Sequence, residues 1–244
     1  MLNAPIAVAS DFAIKSGERP VTLGVAVVTR DKSYRDYDDD TYAAPILLYE
    51  GDKFFARGSN LGWKFIENRR WEVAATGELM PDYYDSSESD FFDGMDDRKR
   101  SFGVGAHAVW TPNNLGLKFV ALRDVTGNSD GTEIRGEVLY RYIGTHWRWV
   151  PRIGVVWQND DYMDYYYGVD SDEAIPGIRP RYSPNDEFGY RFQAIGTYQR
   201  KTSPWMFLVG LRCDWYGDRV QDSPLTENDD MVTLVGGIAY TFRK

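Results

Sequence analysis

The chain has 244 residues, with 37 acidic side chains against 28 basic ones and a formal charge of -9. Its hydrophobic fraction of 43% is enough to bury a core, which excludes a disordered chain. No run of about 18 apolar residues offers a transmembrane helix, and the acidic balance (pI near 4.8) argues against a nucleic-acid partner, whose phosphates it would repel. The single Cys213 excludes an intramolecular disulfide and a thiolate metal cluster.

Along the chain, glycine and β-branched residues interrupt every helical window of three or four turns, and period-two alternation recurs instead. Runs of this kind lie at 21–34, 42–50, 53–66, 71–80, 100–111 and 114–126. Stronger ones follow. In 134–142, Ile134, Gly136, Val138, Tyr140 and Tyr142 oppose Arg135, Glu137, Leu139 and Arg141. In 147–157, Trp147, Trp149, Ile153, Val155 and Trp157 oppose Arg148 and Arg152. In 188–200, Phe188, Tyr190, Phe192 and Tyr198 oppose Arg191, Gln193 and Gln199. Trp205, Phe207, Val209, Leu211, Cys213 and Trp215 share one face of the next run, and Val232–Phe242 closes the series. Tight connections such as Thr111-Pro112-Asn113-Asn114, Thr145-His146 and Lys201-Thr202-Ser203-Pro204 alternate with long ones, the spacing of an antiparallel meander in one domain over 21–242.

A soluble sandwich would also alternate, so two further features choose the class. On the apolar face the aromatics sit at both ends of successive strands, as in Trp205 and Trp215, Trp147 and Trp157, Phe188 and Tyr198. Ten tilted residues span about 26 Å, the height of the apolar band between the aromatic girdles of an outer-membrane barrel. The charges are also segregated. Stretches 35–41, 81–98, 159–187 and 217–230 together hold 24 acids and 5 bases, leaving 13 acids and 23 bases for the remainder. Arginine and glutamate facing a lumen stay hydrated and paired, whereas basic residues on the lipid face cost about 2–4 kcal/mol at the midplane.

The expected fold is therefore all-β, an up-and-down transmembrane barrel. Eleven runs are one short of an even count, and Pro5–Ile14 within the N-terminal segment 1–20 is the candidate twelfth strand; ten strands is the alternative. With Pro5–Ile14 counted, 81–98, 159–187 and 217–230 fall on the outside and acidic 35–41 on the short-turn side. No signal-peptide pattern opens the chain, so an outer-membrane location takes it as a mature form.

Several segments resemble the MipA/OmpV family of outer-membrane proteins: Asn159-Asp160-Asp161-Tyr162-Met163-Asp164-Tyr165-Tyr166-Tyr167-Gly168-Val169, then Glu173-Ala174, and Asp222-Ser223-Pro224-Leu225. Gly237-Ile-Ala-Tyr240-Thr-Phe242 is similar to the family's terminal strand, and Phe54-Phe55-Ala-Arg57-Gly58 with Leu61-Gly62 to its third. One departure is that Arg243 and Lys244 follow the terminal aromatic Phe242. The resemblance implies a barrel without enzymatic activity that scaffolds a murein lytic transglycosylase with a peptidoglycan synthase; other members act in osmotic response, adhesion or immunogenicity.

Read from the residues themselves, the chemistry is sparse. His107 lies on the face opposite Val104, Ala106 and Ala108 and is expected in the lumen as a hydrated side chain without a fixed partner; His146 is expected to be solvated in its turn. No spacing singles out a catalytic set, a metal site or a cofactor cradle, and Gly103-x-Gly105 reads as strand glycine. The clusters Asp36, Asp38-Asp39-Asp40 and Asp93, Asp96-Asp97 read as solvated loop, with loose divalent-ion bridging to lipopolysaccharide as the functional option. Tyr162, Tyr165, Tyr166 and Tyr167 form either a partner-binding loop or a continuation of the outer girdle. The lumen is expected to be lined by Arg135, Arg141, Arg152, Arg191 and His107, which would favour anions if it conducts. Three functions remain open: a scaffold that presents its rims to membrane lipid and cell-wall enzymes, a narrow solute or anion pore, and a soluble all-β binding protein.

Overall fold

A computed structural model describes residues 20–242. In chain order its strands are β1 (Val21–Arg30), β2 (Asp40–Glu50), β3 (Phe54–Arg57), β4 (Asn60–Glu67), β5 (Trp71–Leu79), β6 (Phe102–Trp110), β7 (Leu115–Asp124), β8 (Thr132–Tyr140), β9 (Tyr142–Ile143), β10 (Trp147–Gln158), β11 (Glu187–Gln199), β12 (Trp205–Trp215) and β13 (Asp230–Phe242). Each pairs antiparallel with its neighbours, and β13 pairs with β1 from Val21 against Phe242 to Arg30 against Thr233, which closes the sheet on itself. β9 is a two-residue spur paired only to the foot of β10. The wall is therefore a closed barrel of twelve strands.

The twelfth strand does not come from Pro5–Ile14, which lies outside the described residues together with Arg243 and Lys244. It comes from the run 53–66, which is a hairpin: Phe54 faces Trp63 and Arg57 faces Asn60 across a two-residue turn, Gly58-Ser59. Gly58 sits at φ +66, the left-handed region that such tight turns need and that glycine enters without penalty. Splitting this run also moves loop 31–39. It now shares an end of the barrel with 80–101, 125–131, 159–186 and 216–229, so all the acidic segments lie together and the expected placement of 35–41 at the short-turn end is corrected.

The faces fall as the alternation requires. Trp205, Phe207, Val209 and Trp215 point outward, as do Trp147, Ile153, Phe188 and Tyr190, while Arg191, Arg152, Arg135 and Lys118 are buried in the lumen. At the short-turn end Trp205, Tyr240 and Phe242 form a ring cluster at 5.2 and 4.9 Å, and Trp147 packs on Tyr198 at 4.6 Å. Local polar groups fix the turns: Asn68 Oδ1 accepts from the backbone N–H of Arg70 and Trp71, and Asp124 holds loop 125–131 by accepting from Thr126, Asn128, Ser129 and Asp130.

A left-handed Gly58 is thus required for the extra strand pair. Gly58→Val forces a β-branched residue to positive φ at a cost of about 1–3 kcal/mol. The expected result is a reduced fraction of the SDS-resistant, fast-migrating form on an unboiled gel, with Ser59→Ala unaffected.

Candidate functional site: a capped and charged lumen

A twelve-strand barrel is wider than the eight-strand size that ordinary side chains fill. Three layers fill this one. The layer nearest the short turns is largely small and apolar, with Ala26, Ala44, Ile46, Ile195, Met206, Leu208 and Ala239 in one cluster and Val109, Leu139 and Val150 in another. Beside it Arg57, fully buried, makes bidentate pairs to both Glu50 and Glu72 at 2.7–2.9 Å, and Lys64 reaches Glu50 and Glu67 at 2.5 and 3.0 Å. Among the described residues Glu50, Glu67 and Glu72 are the only grouping whose carboxylates converge as metal ligands would, and Arg57 and Lys64 already balance their charge. His107 Nε2–H donates to the Glu72 carboxylate at 2.9 Å and the ring packs on Phe55, so its side chain has a fixed partner.

The middle layer is a belt of charge. Arg135 bonds Glu78 at 2.5 Å and reaches Glu133 at 3.2 Å; Arg191 reaches Asp214 at 2.5 Å and Glu133 at 3.7 Å; Arg212 clasps the same Asp214. The Arg135–Glu78 pair links β8 to β5 across two intervening strands. Arg152 stands 3.7 Å from Glu137. A chamber of about 50 Å³ remains within this belt, lined by seven arginine and lysine side chains and three glutamates. Arg135, Arg152 and Arg191 are among the side chains that line this chamber. Arg141 is half-buried near the short-turn end and is not part of this chamber.

The third layer is a cap made by the long loops, and it holds the tyrosines. Asn159 accepts from the Tyr162 N–H at the start of helix α1 (Asp160–Tyr167), with Asp160 and Asp161 favouring its N-terminus. Tyr162, Met163, Tyr166 and Tyr167 are buried, and with Tyr34, Tyr84, Phe92, Met95, Val220 and Leu225 they form one cluster. Only Tyr165 is part-exposed, so these rings are the core of the cap and not an exposed patch. Asp82 is the polar hub beneath them: the hydroxyls of Tyr162, Tyr167 and Tyr216 donate to it at 2.8, 3.2 and 3.4 Å. Burial pushes the Asp82 carboxyl above its ordinary range, against the pull of the Tyr162 hydrogen bond, and burial likewise raises the phenols of Tyr162, Tyr167 and Tyr216, which stay protonated donors. Loops 80–101 and 159–186 are joined by Arg98, which donates twice to Glu173 at 2.8–2.9 Å, and by the fully buried Arg179, which donates to the carbonyls of Phe91, Asp93 and Glu173. Ser223 donates to the Tyr167 carbonyl at 2.7 Å, and Leu225 is wholly buried. The segments Asp160–Val169, Glu173 and Asp222–Leu225 thus pack on one another.

Two turns at the other end differ from a smooth rim. β9 carries Tyr142 and Ile143, which are 56% and 68% exposed, and a concavity of about 460 Å³ opens between Tyr142, Thr145, His146, Trp147 and Trp149. His146 is half-buried there, 6.1 Å from the Tyr198 ring, and not simply solvated.

Comparison with known proteins adds names to this arrangement. A family model described as MltA-interacting protein MipA matches residues 23–242. The chain is 28% identical to the MltA-interacting protein of Escherichia coli (strain K12), covering 99% of this chain and 98% of that one. It is 23% identical to outer membrane protein OmpV of Vibrio cholerae, covering 84% and 80%. Among solved structures, the COG4313 outer membrane channel from Pseudomonas putida F1 aligns with a TM-score of 0.46 at 12% identity, covering 96% of this chain and 98% of that one.

Two measurements check the cap. Arg98→Met leaves the Glu173 carboxylate buried without its cation, a local loss of about 3–5 kcal/mol, so trypsin should cut after Arg181 markedly faster while the barrel keeps its gel migration. A carboxyl raised in the folded state binds its proton more tightly folded than unfolded. Its contribution is therefore complete below the unfolded value and is lost as pH rises through the folded one. Protection of the α1 amides, corrected for intrinsic exchange, should fall as the pH is raised beyond the ordinary carboxylate value, and Asp82→Asn should remove that dependence.

Proposed function

The chain belongs to the MltA-interacting protein MipA family and is an outer-membrane β-barrel, and from that premise we propose that it is a non-enzymatic, non-conducting scaffold that works through its rims. The observation that carries this reading is the filled lumen. Among the described residues an aromatic cap covers one end, ion pairs occupy the middle and apolar side chains fill the rest, a packing that supports a lumen without a solute path. What remains for function is surface.

By the rule for such barrels the short turns face the periplasm and the long loops face outward. The periplasmic rim has one feature suited to a partner, the β9 spur with its exposed Tyr142 and Ile143 beside the aromatic concavity. Exposed aromatic and aliphatic groups around a concave site are the composition of an interface core. The name of the Escherichia coli relative speaks of an interaction with MltA. Here the proposed partner is of that class, a murein lytic transglycosylase, with a peptidoglycan synthase brought to the same complex. The seven basic side chains of the chamber support a second reading, a narrow anion path.

The detergent-solubilised barrel should retain a lytic transglycosylase in a pull-down, and Ile143→Asp should cut retention roughly tenfold by burying a charge in the contact. Planar-bilayer recordings should show no steady single-channel conductance. Anion-selective steps would favour the path, and equal retention by Ile143→Asp would remove the spur from the interface.

A further inference from the structure

The wall of the barrel is incomplete on one side. β3 has only four residues and pairs with β2 from Leu48 to Glu50, and the last bond of that ladder runs from the Gly58 N–H to the Leu47 carbonyl. Alternate residues point their backbone groups the same way, so Thr41, Ala43 and Pro45 face this side, where among the described residues no strand continues the ladder. Pro45, with no N–H to offer, stands where proline is tolerated, on an open edge. The opening is about 20 Å high along β2. The Gly58-Ser59 turn bounds it below, the end of β5 bounds it opposite, and above it the Tyr83 hydroxyl bonds the Asp40 carboxylate. It occupies the half of the wall nearer the long loops.

Behind this opening lies the charged chamber. Ser59, Leu79 and Pro81 belong both to the frame of the opening and to the chamber lining. Arg100 stands between the two, its guanidinium 3.9 Å from the Tyr83 ring and 5.6 Å from Tyr42, with Nε and Nη2 buried and unpartnered. Arg30, 6% exposed, lines the same space with its Nε unpartnered, while its Nη1 holds the Pro81 carbonyl at 2.6 Å. Buried guanidinium groups without acceptors are costly unless an anion meets them. The chamber has seven cations against three glutamates. A dissolved anion approaching along the barrel axis meets the cap and loops whose segments hold 24 acids against 5 bases. An anion anchored in the membrane meets the opening instead, beside the exposed apolar faces of Leu47, Leu61 and Val27.

We propose that the gap between β2 and β5 is a lateral docking site for a phosphorylated lipid of the outer leaflet, the glucosamine phosphate of lipopolysaccharide, whose phosphate enters the chamber onto Arg100 and Arg30 while its acyl chains stay along the wall. The chamber has room for a phosphate or a few waters. The site is independent of any partner at the periplasmic rim, since it lies at the opposite half of the barrel.

The test is native mass spectrometry of the full chain in detergent, titrated with diphosphoryl lipid A. One adduct per barrel is expected. Arg100→Gln should weaken it roughly tenfold by removing charge-assisted hydrogen bonds. Ser59→Trp, which leaves every arginine in place and narrows the opening, should weaken it as well, and both variants should keep the heat-dependent gel shift. Equal binding by wild type and both variants would mean ordinary annular lipid and overturn the proposal. So would displacement of the lipid by inorganic phosphate at matched concentration, which would mean a soluble-anion site. A dimer peak in place of the adduct would mean that a second copy covers the edge, and it would overturn the proposal too.

Discussion

Everything in this molecule follows from one constraint: inside a bilayer each backbone N–H and C=O must find its partner within the protein. A sheet meets that demand by closing, and β13 meets β1 over ten residue pairs to do so. Closure then fixes the chemistry of both faces. Outward positions must be apolar or aromatic, and inward positions must fill a space that twelve strands make too wide for aliphatic side chains alone. Long charged side chains reach farther, and each needs an opposite partner in that setting. The Arg57, Arg135 and Arg191 networks are the outcome. They fill the lumen and at the same time tie together strands that are not neighbours in the sheet, as Arg135 does for β8 and β5.

The alternation was legible because lipid and lumen impose it on every long strand. Strands β6 to β13, apart from the short spur, coincide with runs visible in the sequence, and Arg135, Arg152, Arg191 and His107 point inward as their parity requires. The strand count was harder. The run 53–66 is interrupted only by the short polar stretch Arg57-Gly58-Ser59-Asn60, and a single glycine in a strand reads equally well as a bulge, so the reversal was not seen. Pro45 in β2 carried the companion signal, since proline inside a paired strand points to an open edge.

The cap was missed for a different reason. Its helix has two turns, shorter than a search for three or four would find, although Asn159 followed by two aspartates and the i, i+4 pair Tyr162 and Tyr166 are the marks of a capped amphipathic helix. The tyrosines read as surface because the loop is acidic. What buries them is tertiary: Tyr34, Phe92, Val220 and Leu225 arrive from three other loops, and no local pattern reports that. The two segments that carry the resemblance read from the sequence, the tyrosine run and Asp222–Leu225, turn out to be two sides of one packed layer joined by the Ser223 bond to Tyr167. Their pairing in sequence reflects shared packing and needs no common ligand.

The same charges that betray the fold also organise it electrostatically. Acids gather in the loops that leave the membrane, and bases gather at its interior, so the barrel carries a negative lid over a positive middle. Such a separation is expensive to hold without compensation, because like charges in each layer repel. The cap meets the cost by turning carboxylates onto hydroxyls and guanidinium groups, as at Asp82 and Glu173. The belt meets it by pairing, but unevenly: Asp214 serves both Arg191 and Arg212, and Glu133 serves both Arg135 and Arg191. A shared carboxylate leaves a surplus of positive charge, and that surplus lies behind a stretch of wall where, among the described residues, the hydrogen-bonded ladder stops. An incomplete wall in lipid and an incomplete charge balance behind it are two deficits of opposite kinds at one place. A single anionic amphiphile answers both, covering the edge with its body and the arginines with its head.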